Sequence, residues 1–505
     1  MSSGAEVRCY ESTVSEGQHL SAEWHNRSAP VNQLPPEVLS LILRYVMPDL
    51  PRDGLLPDED LAFTGVCRYW RQVALDTPEI WSGIPNDVSL EMIQMFLARS
   101  KNAPATIFVG PNTDYAPAVI SMVLPHIGHT RYLSLDSILS AADVRQLARP
   151  APLLAELILG CQKARLPRLP DDFLGLCAPR LQRLYLFHVS FSWDMMRCTS
   201  LVGNLRRFEL SGVPADSLPT GEQLYRALQA MPGLERLFIR SGALHMPPTL
   251  DIGRTSDSAI TLPRLTALNL YGPGQFVCNL LCRLKVPPTA SVILGLCNFD
   301  QWDIASWPHS PWMNFLGEHR VFHPGSFTRM DYHSSTWEWS LTCSSRLEGA
   351  YDPQPSLRLT APHECLVHLL RELPMENVKI LQVEAYLVHD PAFLEQVMGA
   401  CKAASEIRLA NYVDCRAVFP LLASSHGEDT EDHGLLPALR RIHIRNFTRN
   451  ICDDLSGDLS DFLSRRAAAT NRELEISLPP NCGARSVEIL RSMIGELARV
   501  VVCAV

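Results

Sequence analysis

The sequence predicts an α/β chain: a small all-α segment near the N-terminus, then a long array of parallel strands with helices on the outside. Two observations predict it. Between Val31 and Ile84 the apolar residues recur at helical intervals of three and four. From about residue 126 onward a short phrase keeps returning: a Pro or small residue, a leucine, two polar positions, then alternating apolar residues. Such a unit cannot bury its own leucines, so recurrence implies stacked neighbours that bury them together. A plain α/β domain with a parallel sheet is the rival reading.

Taken in order, residues 1–28 are rich in Ser, Glu and Gly and are expected to be a disordered tail. Residues 29–86 hold two predicted helices. The first carries Leu34, Val38, Leu39, Ile42, Leu43 and Val46, expected on one face. Pro35 and Pro36 suit a helix start, and Glu37 suits its first turn. The second carries Leu61, Val66, Trp70, Val73 and Ala74, and Pro48, Pro51, Gly54 and Pro57 keep the two apart. So small a pair buries too little to stand as a large domain. One reading of it is a helical cap on the remainder of the chain.

Three phrases carry a resemblance: Leu34-Pro35-Pro36-Glu37-Val38-Leu39, then Val66-Cys67-Arg68-Tyr69-Trp70-Arg71, then Thr77-Pro78-Glu79-Ile80-Trp81. In order, spacing and residue type this stretch resembles an F-box. The extended gap from Pro48 to Asp60, where many F-boxes turn tightly, is similar to F-box proteins of mushroom-type fungi. The resemblance implies docking to the Skp-family adaptor of an SCF ubiquitin ligase and, through it, to a cullin. Carried over by position, Leu34, Pro35, Val38, Leu39, Ile42, Leu43, Val66, Trp70 and Trp81 would form the adaptor surface or its support. An amphipathic helix offered to an apolar groove is a common recognition mode.

Residues 87–125 read as a linker. A helix is predicted over Val88–Ser100, with Leu90, Ile93, Phe96 and Leu97 on one side, and Ala105–Val109 as the first strand. Residues 126–505 then form the repeat array. Clear copies begin at Ala178-Pro179, Met231-Pro232, Leu262-Pro263 and Leu436-Pro437. Weaker ones lie at Tyr132–Leu135, Leu154–Leu159, Leu205–Leu210, Val378–Val383, Glu406–Leu409 and Leu474–Leu478. Between first inward residues, the steps from Leu133 through Leu157, Leu184, Phe208 and Leu237 to Leu268 are 24, 27, 24, 29 and 31. The array therefore resembles an irregular leucine-rich-repeat horseshoe, with helices expected over Gly221–Ala230 and Pro391–Ala403. The rhythm breaks from Cys297 to Pro374, where Trp302, Trp307, Trp312, Trp337 and Trp339 cluster. Ser424–Gly434 is polar and acidic and is expected to be an exposed flexible loop.

The bulk numbers narrow the function. A net charge of −9 argues against general nucleic-acid or membrane binding. No apolar run approaches a bilayer-spanning length, and the N-terminus has no secretory pattern, so a cytoplasmic or nuclear chain is expected. In such a compartment the 15 cysteines are expected to be reduced and packed as small apolar groups.

No catalytic frame, phosphate-cradling loop or dinucleotide fingerprint emerges, and neither a cofactor nor a metal is expected. Cys278 and Cys282 form one pair without a second at zinc-like spacing. His126 and His129 are more simply a capping or surface pair, Tyr271-Gly272-Pro273-Gly274 a turn, and Trp337–Trp339 packing residues. One candidate substrate surface remains. With Leu184 and Leu186 pointing into the core, strand parity turns Arg183, Tyr185 and Phe187 to the concave side of the horseshoe. The same parity exposes Arg207 and Glu209, then Arg236, Phe238 and Arg240, then Arg408, then Arg441, His443 and Arg445. Such an arginine-studded face suits an acidic or phosphorylated segment. Its bland counterpart is a polar position that tolerates solvated arginine. The expected function is substrate recognition for an SCF-type ligase. A scaffold that binds the adaptor without ubiquitin transfer is the alternative, and an enzyme hidden in the array has no support.

Overall fold

A computed structural model of the chain describes residues 26, 28–46, 61–86, 88–110, 113, 115–136, 139–160, 167–214, 217–240, 259–281, 283–287, 289–297, 329–334, 339–344, 356–360, 366, 370, 373, 375–385, 391–410, 412–424, 435–445, 459–466, 474–478, 484–495 and 497–502. The expected tail, apart from residues 26 and 28, lies outside them. So do Trp302, Trp307, Trp312, Trp337, Cys282 and residues 425–434 of the acidic loop. The chain forms two compact units, Met1–Leu205 and Arg206–Val505.

The first unit opens with helices. Pro36–Val46 forms as predicted. The second predicted helix is broken into Phe63–Val66 and Arg68–Asp76, because Cys67 between them is extended, at φ −160° and ψ 173°. Pro78–Trp81 is a single tight turn. Helix Leu90–Ser100 comes next, and its Ser89 cap accepts the Met92 N–H; Ile93, Phe96 and Leu97 are buried. Five strands then stack in sequence order, all parallel: β1 (Gly83–Ile84), β2 (Ala105–Val109), β3 (Thr130–Asp136), β4 (Glu156–Gly160) and β5 (Arg183–Phe187). Ala105–Val109 is thus the second strand. The first is β1, which follows Trp81 after Ser82 and pairs Gly83 with Thr106.

In the second unit the order is β6 (Arg207–Ser211), β7 (Arg236–Arg240), β9 (Ala267–Pro273) and β11 (Ser291–Cys297), again parallel. The short β8 (Ile260–Thr261) and β10 (Leu284–Lys285) pair apart from them. Where the rhythm breaks, the sheet continues through β14 (Ser356–Thr360), β13 (Trp339–Ser344) and β12 (Arg329–Ser334). There β13 runs antiparallel to both neighbours. Parallel order resumes with β15 (Ile380–Ala385), β16 (Glu406–Leu409), β17 (Arg441–Ile444), β18 (Glu475–Leu478) and β19 (Arg499–Val502).

The recurring phrase has a physical basis. In Ala151–Leu154, Ala178–Leu181, Met231–Leu234, Leu262–Leu265 and Leu436–Leu439, the fourth residue's N–H donates to the first residue's carbonyl at 3.0–3.2 Å. Each has proline second, where its fixed φ suits a β-turn. The leucine that closes each turn is buried. Three residues later comes the first inward strand residue. Leu133 pairs with Leu157 and Leu157 with Leu184; Phe208 pairs with Leu237 and Leu237 with Leu268. The counted steps are therefore the register of the sheet. Helix Gly221–Gln229 lies within its expected span, held by a capping box between Thr220 and Gln223, and Pro391–Ala400 forms as well.

The predicted turn at Tyr271–Gly274 is corrected. Tyr271, Gly272 and Pro273 extend β9, facing Gly295, Leu296 and Cys297 of β11, and Gly274 begins helix Gly274–Leu281. Pro273 lies beyond Tyr271, where the pairing with β7 ends, so on that side its missing N–H removes no ladder bond.

Candidate docking surfaces

Helix Pro36–Val46 carries two apolar stripes rather than one. Leu39 and Leu43, one turn apart, are fully buried, and the helix packs on Arg68–Asp76, whose Val73 and Ala74 are buried too. Val38, Leu41, Ile42 and Tyr45 follow the i, i+3, i+4, i+7 pattern of a second stripe and are exposed, Leu41 by 52% and Tyr45 by 89%. Adjacent residues on a helix differ by about 100°, so Val38 and Leu39 cannot share a face with both of their fourth neighbours.

The residues carried over from the F-box pattern therefore sort into different places. Leu39, Leu43 and Trp81 lie in the core. Leu34 and Trp70 are half-buried. The Trp70 indole donates to Asn32 Oδ1 at 2.6 Å, and the Tyr69 hydroxyl donates to the Leu34 carbonyl at 2.6 Å, which pins the segment before the first helix to the later one. Pro35, Val38, Ile42 and Val66 are exposed. Sequence reasoning missed Val31, Leu41 and Tyr45, which are exposed as well. The signal for Leu41 and Tyr45 was present, since they complete the second stripe.

Trp81 anchors this segment. It is 1% exposed, donates to the Ala74 carbonyl at 2.8 Å, and meets Phe96 edge-on with ring centroids 5.2 Å apart. Arg99 lies 4.5 Å over its ring. Both Phe96 and Arg99 belong to helix Leu90–Ser100, so that helix is packed onto the segment before it.

Residues 31–84 match the F-box-like family. The chain thus carries an F-box-like domain, and at the family level such domains bind Skp-family adaptors and serve SCF substrate recognition. No curated protein matches the chain.

Strand parity holds along the array. Arg183, Tyr185 and Phe187 alternate with the buried Leu184 and Leu186, and Arg207 and Glu209 alternate with the buried Phe208 and Leu210. Arg236, Phe238 and Arg240 alternate with Leu237 and Ile239, and Arg441 and His443 with Ile442 and Ile444; Arg445 follows, exposed. Geometry divides these arginines. In the first unit Arg183 pairs with the largely buried Glu156 at 2.7 Å. In the second, Arg441 pairs with Glu475 at 2.8 Å and with Glu406 at 3.6 Å. Arg408, expected on the open face, is only 7% exposed and pairs with Glu406 at 2.6 Å. The parity there is right, but the face is covered: Gln382, its partner on β15, is buried too. Among the described residues, no carboxylate forms an ion pair with Arg207, Arg236 or Arg240.

The remaining candidates are quiet. Cys343, Cys401 and Cys415 are buried free thiols, and burial pushes the Cys401 thiol up to about 12. Among the described residues no cluster of three or more His, Cys, Asp or Glu is placed to hold a metal, and no helix is long and apolar enough to cross a membrane. His126 and His129 sit on one tight turn with rings edge-to-face, 5.2 Å apart. Burial lowers both imidazoles below the ordinary 6.5, and at His129 the neighbouring His126 adds to the effect. The folded state then binds fewer protons than the unfolded chain. Stability is full above about pH 6.5 and falls as the pH drops through that value toward the folded pKa. The urea midpoint is expected to be lower at about pH 5.5 than at about pH 7.5, and replacing both histidines with glutamine should shrink the difference. An unchanged difference would remove the pair from the account.

Proposed function

We propose that the chain is the substrate-recognition subunit of an SCF-type E3 ubiquitin ligase. Its F-box-like domain docks to the Skp-family adaptor and, through it, to a cullin. Its leucine-rich-repeat-like array captures a protein substrate. It needs no active site, because holding the substrate beside a charged ubiquitin-conjugating enzyme raises the effective concentration of the reacting groups. What carries the reading is the exposed stripe of Val38, Leu41, Ile42 and Tyr45 inside the F-box-like stretch. Contiguous exposed apolar side chains on one helix face are costly to leave in water, and they suit an apolar groove.

A pull-down with a Skp-family adaptor tests it. The wild-type chain is expected to be retained. Leu41→Asp combined with Ile42→Asp should weaken retention by on the order of a hundredfold, because two carboxylates would have to enter an apolar interface. Both positions are exposed in the free chain, so the helical circular dichroism should not change. A folded wild-type chain that is not retained would defeat the reading.

A further inference from the structure

Three arginines of the second unit that form no ion pair among the described residues, Arg207, Arg236 and Arg240, form a patterned site. Arg207, Glu209 and Ser211 of β6 stand row by row against Arg236, Phe238 and Arg240 of β7. These in turn stand against Ala267, Asn269 and Tyr271 of β9. The first row sets Arg207 directly across from Arg236. Like charges facing each other on neighbouring strands cost stability. At β4–β5 and β16–β18 the same fold answers its arginines with glutamates, but here it does not. Glu209, beside Phe238, is the one carboxylate in these rows, against three guanidiniums.

The middle and third rows are aromatic. The Phe238 and Tyr271 rings lie 5.7 Å apart, tilted by 43°, and the Arg240 guanidinium sits 5.8 Å over the Tyr271 ring. Tyr271 is seated by an absence: a Cβ added at Gly295, its partner on β11, would run into the ring. Strand rise is about 3.3 Å per residue, so Arg236 and Arg240 stand roughly 13 Å apart on one face with Phe238 midway. An extended peptide repeats the same spacing on one side at i, i+2 and i+4.

We propose that this face of β6, β7 and β9 binds an extended acidic peptide segment in which two carboxylate residues, four positions apart, flank an apolar one. The inference rests on the substrate-capturing role proposed for the array and names the chemistry of what is captured. The guanidinium forks take the carboxylates, and the Phe238–Tyr271 pair takes the apolar side chain. The cations are spread over two ends, which favours separated carboxylates over one concentrated charge.

The probe is a fluorescent, end-blocked peptide with the core Glu-Ser-Leu-Ser-Glu, compared with Glu-Glu-Leu-Ser-Ser of equal charge, titrated by anisotropy against the full chain. The first is expected to bind about fivefold tighter. Arg236→Glu with Arg240→Glu should weaken it by at least about tenfold. Gly295→Ala changes no charge but displaces Tyr271, and should weaken it about threefold. Adaptor retention is measured on the same samples and is expected to stay unchanged. Equal affinity for the two peptides, affinity that survives the charge reversal, or equally effective competition by polyuridine would each overturn the proposal. The last would mark a nonspecific polyanion surface. Loss of adaptor retention by the wild-type chain, with peptide discrimination intact, would defeat the ligase reading and leave this site standing.

Discussion

Replacing Trp81 with alanine is expected to destabilise the first unit by about 4 kcal/mol. The indole is almost completely buried, so truncation removes a large apolar surface and leaves a cavity that the surrounding strand and helices close only in part. Three partners lose it together: the Ala74 carbonyl, the Phe96 edge and the Arg99 guanidinium. The Ala74 carbonyl still accepts the Thr77 N–H, so the loss is mainly one of packing rather than an orphaned polar group. A Trp81→Phe variant keeps much of the ring and loses the hydrogen bond, worth about 1 kcal/mol, plus part of the volume. It should fall between wild type and Trp81→Ala. Urea unfolding read by circular dichroism gives the size of the effect, and hydrogen exchange in Leu90–Ser100 localises it. Because Trp81 is not on the exposed stripe, Trp81→Ala should also lose adaptor retention on mild heating without altering any contact residue. A loss of less than about 1 kcal/mol would mean that Trp81 is not the anchor the geometry makes it.

How far the sequence reaches can be judged from particular elements. The strands after the Pro-containing turns were legible because one local rule sets them: Pro in the second turn position, a buried leucine in the fourth, and an inward residue three later. Copies that lack the proline, as at Leu205–Leu210 and Leu474–Leu478, are weaker but still readable. The position three before Val292 is Thr289 rather than leucine, and β11 passed unnoticed. The antiparallel β13 carries no such lead-in, and its place between β12 and β14 depends on partners distant in sequence. Tyr271–Gly274 looked like a turn because Gly and Pro dominate it, yet pairing with β11 kept three of the four residues extended. Cys67 broke a helix that periodicity alone would have carried through, since periodicity reads side-chain faces and not backbone dihedrals.

The candidate surfaces were legible in part for the same reason. Parity named the outward residues of β5, β6, β7 and β17 correctly, because alternation is local. It could not say which arginines meet glutamates, since Glu156 and Arg183 are 27 residues apart and Arg441 and Glu475 are 34 apart. Nor could it separate Leu39 from Val38. That division depends on where helix Arg68–Asp76 docks, which is a tertiary fact. The arginines free of carboxylate partners among the described residues are Arg207, Arg236 and Arg240, and Tyr271, expected in a turn, stands beside them on β9.

Glu406 and Arg408 separate a structural arginine from a docking one. Both side chains are largely out of water, at 15% and 8% exposure, and they meet at 2.6 Å. Removing one partner of a buried pair leaves the other charge desolvated, whereas replacing both with apolar groups of similar size removes the desolvation cost as well. Glu406→Leu is therefore expected to destabilise the second unit by about 3 kcal/mol, through Arg408 chiefly and the longer contact to Arg441 to a lesser degree. Adding Arg408→Met should recover most of that loss, leaving the double variant within about 1 kcal/mol of wild type. Peptide binding at Arg207, Arg236 and Arg240 should be untouched in the double variant, because a different set of strands carries it. Two outcomes would count against this division. If Glu406→Leu alone is neutral, the pair is solvated and Arg408 belongs with the docking arginines. If the double variant is as unstable as the single one, Arg408 holds its covered face together through partners other than Glu406.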